Sequence, residues 1–209
     1  MDFEGGLHME KKIITISREF GSGGRTIGHL VAEKLGIPFY DKELVEHIAL
    51  ESGFAPNYVE EHGEHAPGSS IFSYAFAHQS VPGVMNGLST ADFLWNVQCG
   101  VILQLAEKGP CVIVGRSANY VLQDNPNVIN VFLQADLPDR VKRAIDTYGQ
   151  DAEGAEALVV KTDKRRANYY NYFTGGKWGK AENYDLILNT SRMDLDKIVE
   201  VIKAYVSLR

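Results

Sequence analysis

Apolar positions along the chain fall into two alternating patterns. Short continuous runs rich in β-branched residues occur at 13–16, 37–40, 111–114, 128–133 and 184–188. Such runs read as strands covered on both faces, since a strand with one wet face would alternate polar and apolar side chains. Between them the spacing turns helical. Ile27, Leu30, Val31 and Leu35 form one stripe, Leu44, Val45 and Ile48 a second, and Leu94, Val97, Val101, Ile102 and Leu105 a third. Val141, Ala144, Ile145 and Tyr148 continue the series, and Leu195, Ile198, Val199, Ile202, Tyr205 and Val206 close it. Gly36 with Pro38, Gly53, and Gly109 with Pro110 supply stop signals; Ser89-Thr90-Ala91-Asp92 reads as a capping box, and Asp41 and Asp136 stand at cap positions. Strands alternating with helices predict an α/β fold, a parallel sheet with helices on both faces, because parallel strands need crossover connections. Ligands in such sheets bind beyond the carboxyl ends of the strands.

Two stretches depart from this pattern. Residues 1–10 show no periodicity and Met9 offers a second start, so they are expected to be an extension outside a single domain over 11–209. Across 55–88 prolines and glycines break any period, which predicts short helices and loops laid over the main body. A chain of 209 residues can remove roughly 70% of its extended surface from water, enough for one well-filled core. Its 21 Lys and Arg against 27 Asp and Glu leave a net charge of −6, which disfavours indiscriminate binding to nucleic acid or an anionic membrane. Any anion site must therefore be local. No apolar run approaches the roughly 20 residues that span a bilayer, and the first residues lack a signal-like apolar stretch, so the expected location is cytoplasmic. Cys99 and Cys111 make neither a disulfide framework nor a zinc pattern and are expected as buried, reduced thiols.

The first strand run leads into Gly21-Ser22-Gly23-Gly24, and a helical stripe follows. A glycine loop between strand and helix lets several backbone N–H groups point at one anion, while the helix start adds about half a positive charge, a combination that suits phosphate. The usual G-x-x-x-x-G-K-[ST] pattern is not met in either register. With Thr26 at the hydroxyl position, Arg25 stands for the lysine and Glu19 for the first glycine; with Gly21-Ser22-Gly23 on the G-x-G core, Gly24 stands where the lysine belongs. The nearby cations are Arg18 and Arg25. An arginine holds phosphate oxygens with a planar fork, and Arg25 is taken as the lysine's substitute.

The segment ITISREFGSGGRTIGHLVAEKLGIPFYDKELV, with CVIVGRSANYVL and DKRRANYYNYFTGGKWG, resembles the cytidylate kinase-like family, a branch of the P-loop nucleoside monophosphate kinases, over residues 12–208. The resemblance implies a P-loop kinase fold with a five-stranded parallel sheet, a helical acceptor-site insertion over 41–88 and a basic lid over 150–181. It also implies ATP and Mg2+ as cosubstrates, with Arg18, Gly21, Ser22, Gly23, Gly24 and Thr26 on the ATP phosphates and the Thr26 hydroxyl on the metal. The family's Asp-Ser-Gly acceptor stretch is matched only by Asp41, with Lys42 and Glu43 following. Lys42 is expected to replace a phosphate contact as a point charge, and Asp41 to join the acceptor site, to cap the helix behind it, or both. Gly115-Arg116 resembles the family's Gly-Arg-Asp, whose arginine contacts the acceptor monophosphate, but Ser117 replaces the aspartate. Val112, Ile113 and Val114 leave no acidic side chain on that strand for the metal.

Lys161-Thr162-Asp163-Lys164-Arg165-Arg166 places four cations and one acid in little more than one helical turn, in the window of the family's lid. Phosphoryl transfer spreads negative charge over equatorial oxygens, and cations closing over the site neutralise it while excluding water. Arg165 and Arg166 are the expected lid cations, Asp163 their orienting acid, and Arg140 and Arg143 further clamps on the acceptor phosphate. The tyrosines that follow are expected to pack the lid, with the segment Gly175-Gly176-Lys177-Trp178-Gly179 as a hinge carrying an aromatic anchor. In the family's topology the loop after the fifth strand borders the adenine. Glu61-His62-Gly63-Glu64-His65 alternates metal-capable side chains with no further ligand at useful spacing, and is expected as a solvated loop; His29, His47 and His78 converge on nothing. The expected function is ATP-dependent phosphoryl transfer to a nucleoside monophosphate, cytidylate-like by resemblance. The alternatives are a nucleotide-binding regulatory protein without turnover and a small-molecule kinase with another acceptor.

Overall fold

A computed structural model describes residues 12–66 and 88–209 of the chain. The expected extension over 1–10 lies outside the described residues, as do residues 67–87 of the insertion, including His78. Five strands are described: β1 (Ile13–Arg18), β2 (Phe39–Tyr40), β3 (Cys111–Val114), β4 (Val128–Gln134) and β5 (Leu186–Asn189). They are all parallel, in the order β2-β3-β1-β4-β5. The helices are α1 (Gly24–Leu35), α2 (Lys42–Ser52), α3 (Pro56–His62), α4 (Thr90–Glu107), α5 (Ala118–Val121), α6 (Leu137–Asp146), α7 (Ala155–Thr174) and α8 (Leu195–Leu208).

The continuous apolar strands β1, β3 and most of β4 are buried on both faces, whereas β2 and β5, at the two edges of the sheet, are only half-buried. Ile14 and Ile16 of β1 join Val112, Val114, Ile129 and Val131 in a core closed by α1 and α8, whereas Ile13 joins Cys111, Ile113 and Val128 in a core closed by α2, α3 and α4. β1 is central, with Ile13 level with Cys111 on one side and with Val128 on the other. Its carboxyl end therefore opens between the crossovers from β3 and β4.

Three local expectations change. The run 37–40 shortens to β2, and the run 184–188 shifts into β5 behind a 3-10 turn at Ala181–Asn183. Ser89 caps α4, accepting the Asp92 N–H at 3.2 Å, but Asp41 and Asp136 make no side-chain cap bond because other partners hold their carboxylates. Arg25 lies 2.9 Å from Asp41, and Asn189 and Arg192 hold Asp136. Cys111 is buried but Cys99 only partly so; both are free, and burial pushes their thiols up to about 12 and about 11. Among the described residues no helix is long and apolar enough to cross a membrane.

Candidate functional site

Beyond the carboxyl end of β1 the chain turns through Glu19–Gly23 into α1. Gly21 and Gly23 have φ of +81° and +82°, the left-handed region that glycine enters at little cost. A side chain at Gly21 has no space either, since a Cβ there would lie 2.5 Å from the Arg140 carbonyl oxygen. Donors hold the turn's carbonyls. Arg140 donates to Phe20 at 3.4 Å, Arg143 to Gly21, and the Thr190 hydroxyl to Ser22 at 2.8 Å. The Ser22 hydroxyl closes the turn onto the Glu19 carbonyl at 2.9 Å. The hydrogen-bond ladder of α1 begins with the Ile27 N–H on Gly23, so the helix itself leaves the N–H groups of Gly24, Arg25 and Thr26 unclaimed. Phosphate oxygens suit such a helix start.

The helix start decides the register. Gly23 is the left-handed cap and Gly24 the first helical residue, so Gly24 occupies the lysine position of the second alignment. A Cβ on Gly24 would lie 2.6 Å from Cβ of Arg18, whose stem fills that space. Arg25, expected to replace the lysine, is instead exposed and paired with Asp41, away from the turn. Arg18 is the cation laid over the start of α1.

The guanidinium of Arg18 belongs to a cluster gathered from four elements. Arg18 Nη1 and Arg116 Nε each lie 3.9 Å from Glu64 Oε1, and Arg166 Nε lies 3.9 Å from Oε2. All four side chains are largely buried. Burial alone would raise the Glu64 carboxyl, but Arg116, Arg18, Arg166 and Arg165 outweigh it and hold the group at about 2. Burial, followed by the neighbouring Arg18, pushes Arg166 down to about 9. The Nε groups of Arg165 and Arg166 are buried without a hydrogen-bond partner.

The sequence places these arginines through unusual backbone. Gly115, Arg116 and Ser117 have φ of +77°, +55° and +54°, and two consecutive non-glycine residues in the left-handed region cost about 1–3 kcal/mol each. Gln98, buried on α4, ties the turn down by donating to the Arg116 carbonyl at 2.9 Å and to the Tyr169 hydroxyl at 3.1 Å. Gly63 and Gly115 leave room for the guanidiniums, since a Cβ would fall 2.2 Å from Arg116 Nη1 at the first and 2.1 Å from Arg18 Nη1 at the second. On α7, Arg166 donates to the Arg18 carbonyl at 3.1 Å, and Asp163 accepts the Phe20 N–H at 2.7 Å. The helix expected as a lid is thus docked on the glycine turn. Tyr169 and Tyr170 pack as expected, Tyr169 against Trp95 and Phe173, but Tyr172 is exposed; Trp178 anchors edge-on against Phe132.

Several predicted site residues lie elsewhere. Arg140 and Arg143, expected on the acceptor phosphate, brace the glycine turn from its β4–β5 side; Arg140 also pairs with Asp163 and approaches Glu19 at 3.5 Å. Lys42 is exposed at the start of α2, whereas Thr26, exposed in the first turn of α1, stays beside the glycine turn as expected. Glu64 is the largest correction, for the loop expected to be solvated delivers a carboxylate into the arginine cluster. Glu19 is a second unforeseen acid. It accepts the Ala135 N–H at 3.0 Å, and burial raises its carboxyl. Among the described residues no group of three His, Cys, Asp or Glu side chains is placed to hold a metal ion. Among the described residues, the oxygen donors near the start of α1 include the Thr26 hydroxyl and an Asp41 carboxylate already engaged by Arg25. This donor set fits a metal ion that arrives on a nucleotide better than a resident one.

Two cavities flank the turn. One of about 730 Å³ lies between α6 and the loop after β5, lined by Lys142, Arg143, Thr190, Ser191, Arg192 and Leu195 among others. A second, of about 20 Å³, lies within the arginine cluster.

Comparison with known proteins connects these features. The model of the cytidylate kinase-like family matches residues 13–192. A cytidylate kinase of Pyrococcus horikoshii is 23% identical over 196 residues, 93% of this chain and 88% of that protein. An uncharacterized protein from Eubacterium ventriosum has a solved structure that superposes with a TM-score of 0.71 at 30% identity, over 95% of this chain and 99% of its own. A shikimate kinase from Bacteroides thetaiotaomicron shares the fold at a TM-score of 0.55 and 16% identity, over 93% and 98% of the two chains. A match that extends from β1 past the glycine turn, the strained arginine and the basic helix to the loop after β5 identifies the chain as a member of the cytidylate kinase-like family, a phosphotransferase with the P-loop kinase fold.

Proposed function

We propose that the chain transfers the γ-phosphoryl group of ATP to a nucleoside monophosphate, with cytidylate the first acceptor to test. One observation carries this reading. Two arrangements suited to anions adjoin at the end of β1, the glycine turn with its unclaimed helix N–H groups and the cluster of Arg18, Arg116, Arg165 and Arg166. The turn suits the phosphates of a donor, and the cluster suits a terminal phosphate of an acceptor. The large cavity behind Arg143 and Thr190 is then the place of the donor nucleoside.

An oxygen of the acceptor phosphate attacks the γ-phosphorus, and the bond from that phosphorus to the β–γ bridging oxygen breaks. ADP and a nucleoside diphosphate leave. That phosphate oxygen is already nucleophilic near neutral pH, so the chain's contribution is placement in line and stabilisation of spreading charge. Arg116 holds the acceptor phosphate, Arg18 stands between acceptor and donor, and Arg165 and Arg166 close from α7. Asp163 acts through the loop, by fixing the Phe20 N–H and Arg140. A magnesium ion on the triphosphate would neutralise charge there, and the Thr26 hydroxyl at the start of α1 would be a side-chain ligand open to it.

The relatives named cytidylate kinase support the acceptor class, while the lysine position filled by Gly24 favours a second reading, a nucleotide binder with little turnover. Coupled turnover of ATP with a panel of nucleoside monophosphates separates them. Transfer to one monophosphate is the expected result. ATP binding without transfer to any acceptor would establish the second reading, and consumption of ATP only with a non-nucleotide alcohol would replace both.

A further inference from the structure

We propose that Glu64 is a specificity-determining residue of the acceptor site, a resident carboxylate that occupies the place of the acceptor's terminal phosphate and must be displaced for an anion to enter. This rests on the reading of the arginine cluster as the acceptor's phosphate site.

Space gives the first reason. The cavity beside Glu64, lined by Ser17, Arg18, Gly115, Arg116 and Arg166 among others, measures about 20 Å³. That is room for one water and not for a tetrahedral anion. Fit gives the second. Charge-assisted N–H···O bonds close to roughly 2.7–2.9 Å, yet the three guanidiniums all stand 3.9 Å from the carboxylate. The ring is too wide for the group inside it. The buried Nε groups of Arg165 and Arg166, which have no hydrogen-bond partner, face the same deficit.

Charge gives the third reason. Four guanidiniums act on the Glu64 carboxylate, and the further acid near Arg166, Asp163, is already paired with Arg140, so exchange of Glu64 for a phosphate monoester, close to dianionic at neutral pH, leaves the cluster better compensated. Exchange for a monoanion gains nothing. The resident acid therefore selects a terminal phosphate over a phosphodiester or a carboxylate. Position permits the exchange, because Glu64 follows α3 on a short turn held by Gly63 N–H on Val59 and His65 N–H on His62, and not on a strand of the sheet.

The test uses the whole chain with inorganic phosphate and dimethyl phosphate as probes, read by calorimetric titration. In the unaltered protein phosphate binds and dimethyl phosphate does not. Glu64→Gln is expected to bind phosphate at least about tenfold tighter, the order expected when a competing charged partner is removed, and to admit dimethyl phosphate. Equal phosphate affinity in both proteins overturns the proposal while leaving the phosphate site intact. Failure of either protein to bind phosphate overturns the acceptor-site reading as well. A second measurement needs no variant: carboxyl-labelled glutamate followed by NMR in the unaltered protein. At neutral pH, where phosphate is largely dianionic, saturating phosphate is expected to shift the Glu64 carboxyl signal as Arg18, Arg116, Arg165 and Arg166 turn to the new anion. A signal that stays in place with phosphate bound overturns displacement.

Discussion

Alanine at Gly115, compared with alanine at Gly149, separates backbone cost from the cost of moving Arg18. Both glycines are left-handed, with φ of +77° and +67°. Both substitutions therefore carry the same backbone penalty, about 1–2 kcal/mol for an L-residue. Reduced freedom of the unfolded chain returns about 0.4–1 kcal/mol of it. The net loss of about 1 kcal/mol corresponds to a fall in Tm of about 2–4 °C for a chain of this size. The surroundings differ, however. A Cβ on Gly149 meets nothing within 4 Å, whereas one on Gly115 falls 2.1 Å from Arg18 Nη1. That guanidinium is the far end of a flexible side chain and can withdraw, so Gly115→Ala should be scarcely less stable than Gly149→Ala. Withdrawal removes a charged contact worth about 1.5–3 kcal/mol at the phosphates, or roughly 10- to 100-fold in kcat/KM. Coupled turnover on the accepted monophosphate, with thermal unfolding of both variants, reads the two effects separately. If Gly115→Ala kept its kcat/KM within twofold of Gly149→Ala, the functional assignment of Arg18 would be refuted.

Two further outcomes are expected. Arg18→Ala should lose at least about tenfold in turnover, the scale of a lost transition-state cation, and Arg25→Ala, which frees only an exposed pair with Asp41, should lose less; the reverse order in steady-state kinetics would return the lysine's role to Arg25. The Glu64 carboxyl, held at about 2 against an ordinary value of 4.5, should stabilise the fold fully above pH 4.5 and lose that contribution as pH falls through 2. The difference amounts to as much as about 3 kcal/mol. Calorimetric unfolding between pH 5 and 2 should thus show a steeper loss for the unaltered protein than for Glu64→Gln, and parallel curves would contradict it.

The sheet was legible because its signals are local. A β-branched run such as Ile13-Ile14-Thr15-Ile16 is buried on both faces wherever it pairs, and the glycines after it have no better use than a turn into a helix. The arginine cluster was half legible. Arg18, Arg116, Arg165 and Arg166 stood out one by one, each at the end of a strand or in a dense charge run. Their convergence depends on the strand order β3-β1-β4, which residue spacing does not encode. Glu64 was hidden for a related reason. Its neighbours in sequence are glycine, histidine and proline, all at home in a solvated loop, and its partners come from β1, the turn after β3, and α7. Arg140 and Arg143 carried a different difficulty. Helical spacing puts both on one face of α6, but only the packed structure shows that this face meets the carbonyls of the glycine turn and not the acceptor side. Gln98 left a faint trace, a polar residue on an otherwise apolar stripe.

The contact between Arg18 and Gly24 also constrains which changes the chain can accept in sequence. A lysine cannot enter position 24 alone, because its first carbon would collide with the arginine's stem, and removing that stem first strips a cation from the cluster around Glu64. The two positions form a lock that opens only when both are exchanged together. Single-step descent toward the familiar lysine-bearing loop is thereby closed, and the arginine solution, once adopted, protects itself.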